Sequence, residues 1–395
     1  MQPPKPPVSL LVAATATGPL ALNVFVPSMP ALPAAFGTGH ATVQLTLSLY
    51  LVGVAVGQLA YGPLSDRFGR RPVLLGGLGL YVLASIACAL APSIGLLILG
   101  RVAQALGGCA GMVIGRAVVR DAWDRDEATR VLALVIAGMA LAPMIGPVLG
   151  GFLDEWAGWR AGFVLLVGFG AVVLLAGLRA LPETHRDRTP FPGPAALVAA
   201  YRALGSKPLF LGNALATATA TAAFFAFLSG APHAMVEILG RTPSEYGLYF
   251  VLLSVGYMAG NVIVSRLAHR VAPQSLVLAG LGLSLVGPLV LLGFVLAGVF
   301  TPVTLFLPII LMTFGNGLSF PPAMTLAIGV EPRLAGTASG LLGFLQMGFG
   351  AVAAALVGAL KAWEPMTMVL VMIVANLLAL AAFEYARRPP RPRTA

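Results

Sequence analysis

The chain has 395 residues, 58% of them hydrophobic and only 10% charged, with a formal net charge of +10. Apolar runs of about twenty residues recur from end to end, each long enough to cross a hydrocarbon layer of roughly 30 Å. This pattern excludes a string of soluble domains, and the lack of alternating short strands excludes an outer-membrane barrel. The basic residues fall between the apolar runs, where they orient a chain in the lipid bilayer, so nucleic acid is excluded as a partner.

The sequence predicts an all-α polytopic membrane protein with twelve spans, near 8–29, 42–64, 72–91, 94–116, 128–153, 159–181, 209–232, 244–267, 274–296, 302–325, 334–360 and 365–385. The run before the first span lacks a signal-peptide layout, so that span is read as retained. The first span carries Asn23, the second Tyr50. Between the second and third lies the segment 62–75, Gly-Pro-Leu-Ser-Asp-Arg-Phe-Gly-Arg-Arg-Pro-Val-Leu-Leu. Its Asp66, Arg67, Arg70 and Arg71 make it a charged turn outside the lipid, bracketed by Pro63 and Pro72, with Gly69 free to take a corner at positive φ. Asp66 is placed to meet the positive N-terminal end of the eleventh span, or Arg116 and Arg120 at the end of the fourth. Such contacts would latch the two halves of the chain when the cavity faces outward.

The fourth span holds Arg101, followed by Gln104. A cation inside a span is costly and is a functional candidate; snorkelling to the outer surface is the alternative. Asn23 stands about fifteen residues, ~22 Å, up the first span, and Arg101 ~10 Å from the far end of the fourth. The two therefore share a height, where an asparagine carbonyl can accept from a guanidinium. The fifth span combines Pro143 and Pro147, which kink a helix, with Gly146, Gly150 and Gly151, which let a neighbour approach closely. Segment 182–207 is the longest connection and carries four prolines. It divides the chain into two six-helix bundles, 1–181 and 208–395, around a central cavity. A shift of 203 residues supports the repeat, because it lays Gly53, Gly57, Leu64, Arg67 and Leu75 on Gly256, Gly260, Leu267, Arg270 and Leu278. Asn213, Asn261, Asn316 and Gln346 are further polar candidates for the cavity, each with a helix–helix hydrogen bond as the plainer reading. Phe224, Phe225 and Phe227 either line an apolar pocket or pack in the core or against lipid.

With both termini in the cytoplasm, 20 of the 24 lysines and arginines fall on the cytoplasmic side, three outside, and Arg101 within the membrane. Cys88 and Cys109 lie in apolar runs, and the four histidines are far apart in sequence. No metal, disulfide or cofactor site is expected, and no cluster of nucleophile and acid at membrane depth suggests an enzyme.

The segment 62–71 resembles the loop between the second and third helices of the major facilitator superfamily (Gly-x-Leu-x-Asp-Arg-x-Gly-Arg-Arg). Arg101, Gln104 and Gly107 resemble its Arg-x-x-Gln-x-x-Gly motif, which the family links to proton coupling. The run Gly146-Pro147…Gly150-Gly151 resembles the Gly-Pro-x-x-Gly-Gly motif of drug:proton antiporters. Together with segments 17–30, 44–50 and 335–340, these place the chain near the bicyclomycin/chloramphenicol-type exporters. The resemblance implies a secondary exporter of small amphipathic drugs such as phenicols. It further implies a monomer in the plasma (inner) membrane, with the proton as coupling ion. That branch usually has an aspartate where Asn23 stands, so the usual proton carrier is replaced. An uncoupled metabolite exporter or facilitator is the alternative within transport, and a non-transporting membrane receptor the alternative outside it.

Overall fold

A computed structural model describes residues 5–185, 193–360 and 365–387. Among them, twelve spans are long and apolar enough to cross a membrane, and there is no strand. The basic residues Arg186, Arg188, Lys361, Arg388, Arg391 and Arg393 lie outside the described residues.

The first span is α1 (Val8–Phe25), continued by a 3-10 turn (Val26–Ala31) and α2 (Leu32–Phe36). Then come α3 (His40–Phe68), α4 (Arg70–Ala89), α5 (Ile94–Ala122), α6 (Arg125–Ala157) and α7 (Arg160–Ala180). The second set comprises α8 (Pro194–Gly205), α9 (Pro208–His233), α10 (Pro243–Leu267), α11 (Pro273–Leu296), α12 (Pro302–Ile328), α13 (Ala335–Ala359) and α14 (Pro365–Arg387). A π-helical turn, Ala234–Ile238, extends α9. Proline opens most of the second set, where its fixed φ suits the first turn and its missing N–H would have had no partner. Ser93 caps α5, and Thr301 with Thr304 forms a capping box on α12.

Two expectations are corrected. The charged segment is not a loop bracketed by prolines: α3 runs through Pro63, Asp66 and Arg67 to Phe68, and α4 starts at Arg70. A single residue, Gly69 at φ +100°, turns the chain. Proline is accommodated because helix α3 is held by packing along its length, not by local propensity. The linker also contains more than surface chain, since α8 buries Leu204 against the group formed by Phe210, Ala214, Ala327, Ala338 and Leu342. Residues 186–192 of that linker are outside the described residues.

Close approach between spans rests on missing Cβ atoms. A Cβ on Gly53 would lie 2.9 Å from the Ala105 Cβ of α5, and one on Gly256 2.9 Å from the Ile310 carbonyl of α12. The residues paired by the 203-residue shift thus make equivalent seams, α3 on α5 and α10 on α12. Contacts between the first six spans and the last six run through α3 on α13 and α6 on α10. Leu83, Leu99, Trp156, Val164 and Val172 are exposed, which suits side chains that meet lipid tails.

Two ends of the bundle can be told apart. One, termed the basic end, carries Arg67, Arg71, Arg120 and Arg333. The other carries His40, Trp156, Arg241 and Thr301. At this opposite end the two groups are tied together: Gln44 Nε2 donates to the Ser229 carbonyl at 2.9 Å, and Ser229 Oγ donates to Gln44 Oε1 at 2.8 Å. The Ser244 N–H also donates to Glu155 at 2.8 Å.

Candidate functional site

Arg101 is completely buried, so it does not snorkel. Its Nη1 donates to the Ala21 carbonyl at 3.0 Å and to Gln104 Oε1 at 2.6 Å. The guanidinium carbon lies 4.0 Å from the Tyr50 ring centre and 4.4 Å from that of Phe25. Two aromatic faces thus stand where a counter-ion is expected. Gln104 is oriented in turn by Ser85, to which its Nε2 donates at 2.8 Å, and the Tyr50 hydroxyl donates to the Gly18 carbonyl at 2.8 Å. Arg101, Tyr50 and Gln104 are therefore one cluster packed within the first six spans, and none of the three lines the cavity at mid-membrane or that at the basic end.

Asn23 is not part of it. Its Nδ2 donates to the Pro19 carbonyl of its own helix at 2.8 Å, and its Cβ side faces α6, where a Cβ on Gly146 would sit 2.7 Å from it. Equal depth does not mean contact: Ala21 and Asn23 are two residues apart, about 200° around α1, so they address different neighbours.

The fifth-span motif does what its small residues promise. Gly146 and Gly150 admit Asn23 and Val24 of α1, while Gly151 admits the Pro243 carbonyl at the start of α10. The Pro147 carbonyl in turn fits against Gly247 of α10. One helix thus carries both the α1 seam and a seam to the last six spans.

Pro143 and Ala140 of that helix form one wall of a cavity of about 270 Å³ at mid-membrane. The other walls come from the last six spans: Phe224 and Phe225 of α9, Phe250 and Tyr257 of α10, Asn316 and Phe320 of α12, and Gln346 of α13. Of Phe224, Phe225 and Phe227 in α9, the first two line this cavity, whereas Phe227 packs edge-on against Phe306, 5.5 Å between centroids. Gln346 and Asn316 line this cavity, and Asn316 Oδ1 also accepts from Ser284 Oγ of α11 at 2.9 Å. Asn213 is not: it sits near the basic end of α9, donating to its own helix at Leu209 (2.8 Å), beside a separate surface cavity with Gln274 and Arg387. Asn261 likewise donates to Tyr257 of its own helix at 2.9 Å.

At the basic end a second cavity, about 450 Å³, lies between α3, α5 and α6 on one side and α8 and α13 on the other. Gly62, Asp66, Arg70, Arg116 and Arg120 face Arg333, Gly336 and Thr337 across it. Tyr201 of α8 lines it too, and burial pushes its phenol upward. Arg116 Nε donates to the Met112 carbonyl of its own helix at 2.8 Å. Asp66 pairs with Arg70, 2.5 Å away on the next turn. Arg70 is the hub of this end, since it also reaches Asp121 (2.9 Å) and Ser65 (2.6 Å). Arg67 lies over the Phe68 ring, and Arg71 donates to the Leu178 carbonyl at 3.0 Å.

Two of the four histidines, far apart in sequence, are brought together by the fold. His40 and His233 stand ring to ring at 5.3 Å, with Glu237 beside them.

Compared with known proteins, residues 11–355 and 214–395 match the family described as Major Facilitator Superfamily. The chain belongs to the major facilitator superfamily. It is 31% identical to the uncharacterized MFS-type transporter YdgK of Bacillus subtilis (strain 168) over 93% of this chain and 91% of that one. It is 34% identical to a chloramphenicol resistance protein of Pseudomonas aeruginosa over 69% of this chain and 64% of that one. Multidrug resistance protein D of Escherichia coli (strain K12) is 30% identical over 87% and 86%. Among solved structures, a bacterial homolog of the human lysosomal transporter Spinster, inward-facing and unoccupied, shares the fold at TM-score 0.77 and 16% identity, covering 97% of this chain and 98% of that one.

In this superfamily member two acids that were not among the expected site residues join the basic end. Asp121 ends α5 and pairs with Arg70. Glu183, just past α7, accepts from the backbone N–H groups of Arg70 (2.9 Å) and Arg71 (3.2 Å), so it caps α4 with a charge that its N-terminus favours. The Arg120-Asp121 ending of the fourth span was a readable signal; Glu183 lies too far along the chain for any local rule. Glu183→Ala is expected to lower stability by about 1–2 kcal/mol, read as a lower melting temperature of the purified protein, with Glu183→Gln recovering part of it.

Proposed function

We propose that this chain is a drug exporter of the inner membrane that moves small, neutral, amphipathic compounds of the phenicol kind by alternating access. The observation that carries this reading is the mid-membrane cavity. It is walled by aromatic rings, offers the amides of Asn316 and Gln346 as orienting groups, and has no acidic or basic side chain in its lining. Its volume is near the lower end for small-molecule sites, which suits a compact ligand. The kinship with proteins named for chloramphenicol and multidrug resistance supports the class of cargo.

In this reading the termini are cytoplasmic, following the excess of arginine and lysine at that end. The tied end is then the closed outer gate, and the cavity between Asp66 and the start of α13 is the inward vestibule. In the outward-facing state this vestibule closes, Asp66 meeting α13 and Arg116. The proton antiport that the resemblance to drug:proton antiporters implies is weakened here, because Asn23 cannot titrate and the acids among the described residues stand toward the ends of their helices or in connections.

The test is flux of labelled chloramphenicol in liposomes, with and without an imposed pH gradient. Saturable exchange is expected, changing less than about twofold with the gradient, since a coupled proton would contribute about 1.4 kcal/mol, a factor of ten, per pH unit. Asn23→Asp is expected to create gradient dependence. Tight binding of a quaternary ammonium dye, or uphill pumping by the unaltered chain on a pH gradient, counts against the reading.

A further inference from the structure

We propose that His40, His233 and Glu237 form a Zn²⁺ site that bridges the two six-span groups and, when filled, holds their closed end shut. His40 is the first residue of α3, and His233 the last of α9. Glu237 lies in the π-helical turn that follows. Glu237 Oε1 is 3.0 Å from His233 Nδ1 and 3.8 Å from His40 Nδ1, and one donor atom from each residue lies within 4.8 Å of the others. Tetrahedral zinc with bonds of about 2.0–2.1 Å holds its ligand atoms roughly 3.3 Å apart. The observed separations bracket that value, so small side-chain rotations suffice. Two imidazoles and one carboxylate are a donor set suited to Zn²⁺ and poor for Ca²⁺ or Mg²⁺.

Two further features point to a built site. A π-helical turn is rare, and here it carries the carboxylate ligand. One helical turn deeper on the same faces, Gln44 is four residues on from His40 and Ser229 four residues back from His233. These two exchange reciprocal hydrogen bonds between the same two helices. The histidines thus extend a seam that already joins the two groups, and a metal there must be released before the seam can part. The ligands come from both groups, so binding depends on their relative position, and zinc selects the state in which this end is closed. That zinc acts from outside the cell rests on the orientation given above; the site itself does not.

The experiment uses the purified full chain, free of affinity tag, in lipid nanodiscs. Zn²⁺ binding is measured by titration against a chromophoric chelator, and amide hydrogen exchange is followed across residues 40–46 and 229–238. One Zn²⁺ per chain is expected, with exchange in both segments slowed on binding. His40→Gln, His233→Gln and Glu237→Gln, which keep size and polarity, should each weaken binding roughly tenfold or more, and His269→Ala should not. Unchanged binding in the double variant His40→Gln/His233→Gln, or no binding by the parent, overturns the proposal. In oriented liposomes, Zn²⁺ on the face away from the termini should slow chloramphenicol exchange in the parent but not in His40→Gln. Zinc that binds and slows hydrogen exchange, but inhibits only from the termini face, leaves the site standing and overturns the orientation.

Discussion

Arg101→Ala is expected to reduce drug flux by about 100-fold while leaving a membrane-inserted protein. The substitution removes hydrogen bonds to Ala21 and Gln104 and the stacking of the guanidinium on Tyr50 and Phe25. Hydrogen bonds from charged donors contribute about 1.5–3 kcal/mol each, and desolvated cation–π contacts about 2 kcal/mol. Part of that is offset by relief from burying the charge, since Nε and Nη2 find no acceptor among the described residues. A remainder near 3 kcal/mol corresponds to roughly two orders of magnitude. The group lost is the one that fixes α1 against α5 beside the kink-prone segment of Pro19. Arg101→Lys should recover little, because an ammonium satisfies one acceptor but cannot lie flat between two rings. Flux per folded molecule, with folded fraction taken from melting curves, is the measurement. Full activity in Arg101→Lys would show that charge alone matters at this position.

Gly150→Ala is expected to be the most destabilising single change in the fifth-span motif, by about 3 kcal/mol or more. A Cβ there falls on the Val24 carbonyl, which is backbone and cannot turn aside, so α1 and α6 must separate. The same helix packs on α10 through Pro147 and Gly151, so the displacement reaches the seam between the two six-span groups. Gly168→Ala on α7 is the control. A Cβ there meets nothing within 4 Å, and a change within about 0.5 kcal/mol is expected. Thermal unfolding of both variants in one detergent gives the comparison. Equal stability would show that the α1–α6 seam is plastic.

Much of this protein was open to reading from one dimension. Span number, the charged corner at Asp66 to Arg71, the buried cation at Arg101 and the small-residue face of the fifth span all follow from composition along the chain. Lipid punishes each polar or charged residue according to its depth alone. The half-repeat was legible for the same reason: glycines at matched places reflect matched helix seams, Gly53 on α5 and Gly256 on α12.

What depth does not encode is rotation and partnership. Asn23 and Arg101 share a height, yet helix α1 turns Asn23 to Gly146 and presents the Ala21 carbonyl to Arg101. Asn213 is the opposite case: its place in the second turn of α9, at the basic end, already separates it by depth from the central cavity that Asn316 lines. His40, His233 and Glu237 meet only because the start of α3 and the end of α9, which belong to different groups, come together at the closed end. Sequence fixes how deep each side chain lies through the cost of burying polarity in hydrocarbon. Which neighbour it meets is decided by the azimuth of each helix, and that is set by close packing of many small contacts that no single segment contains.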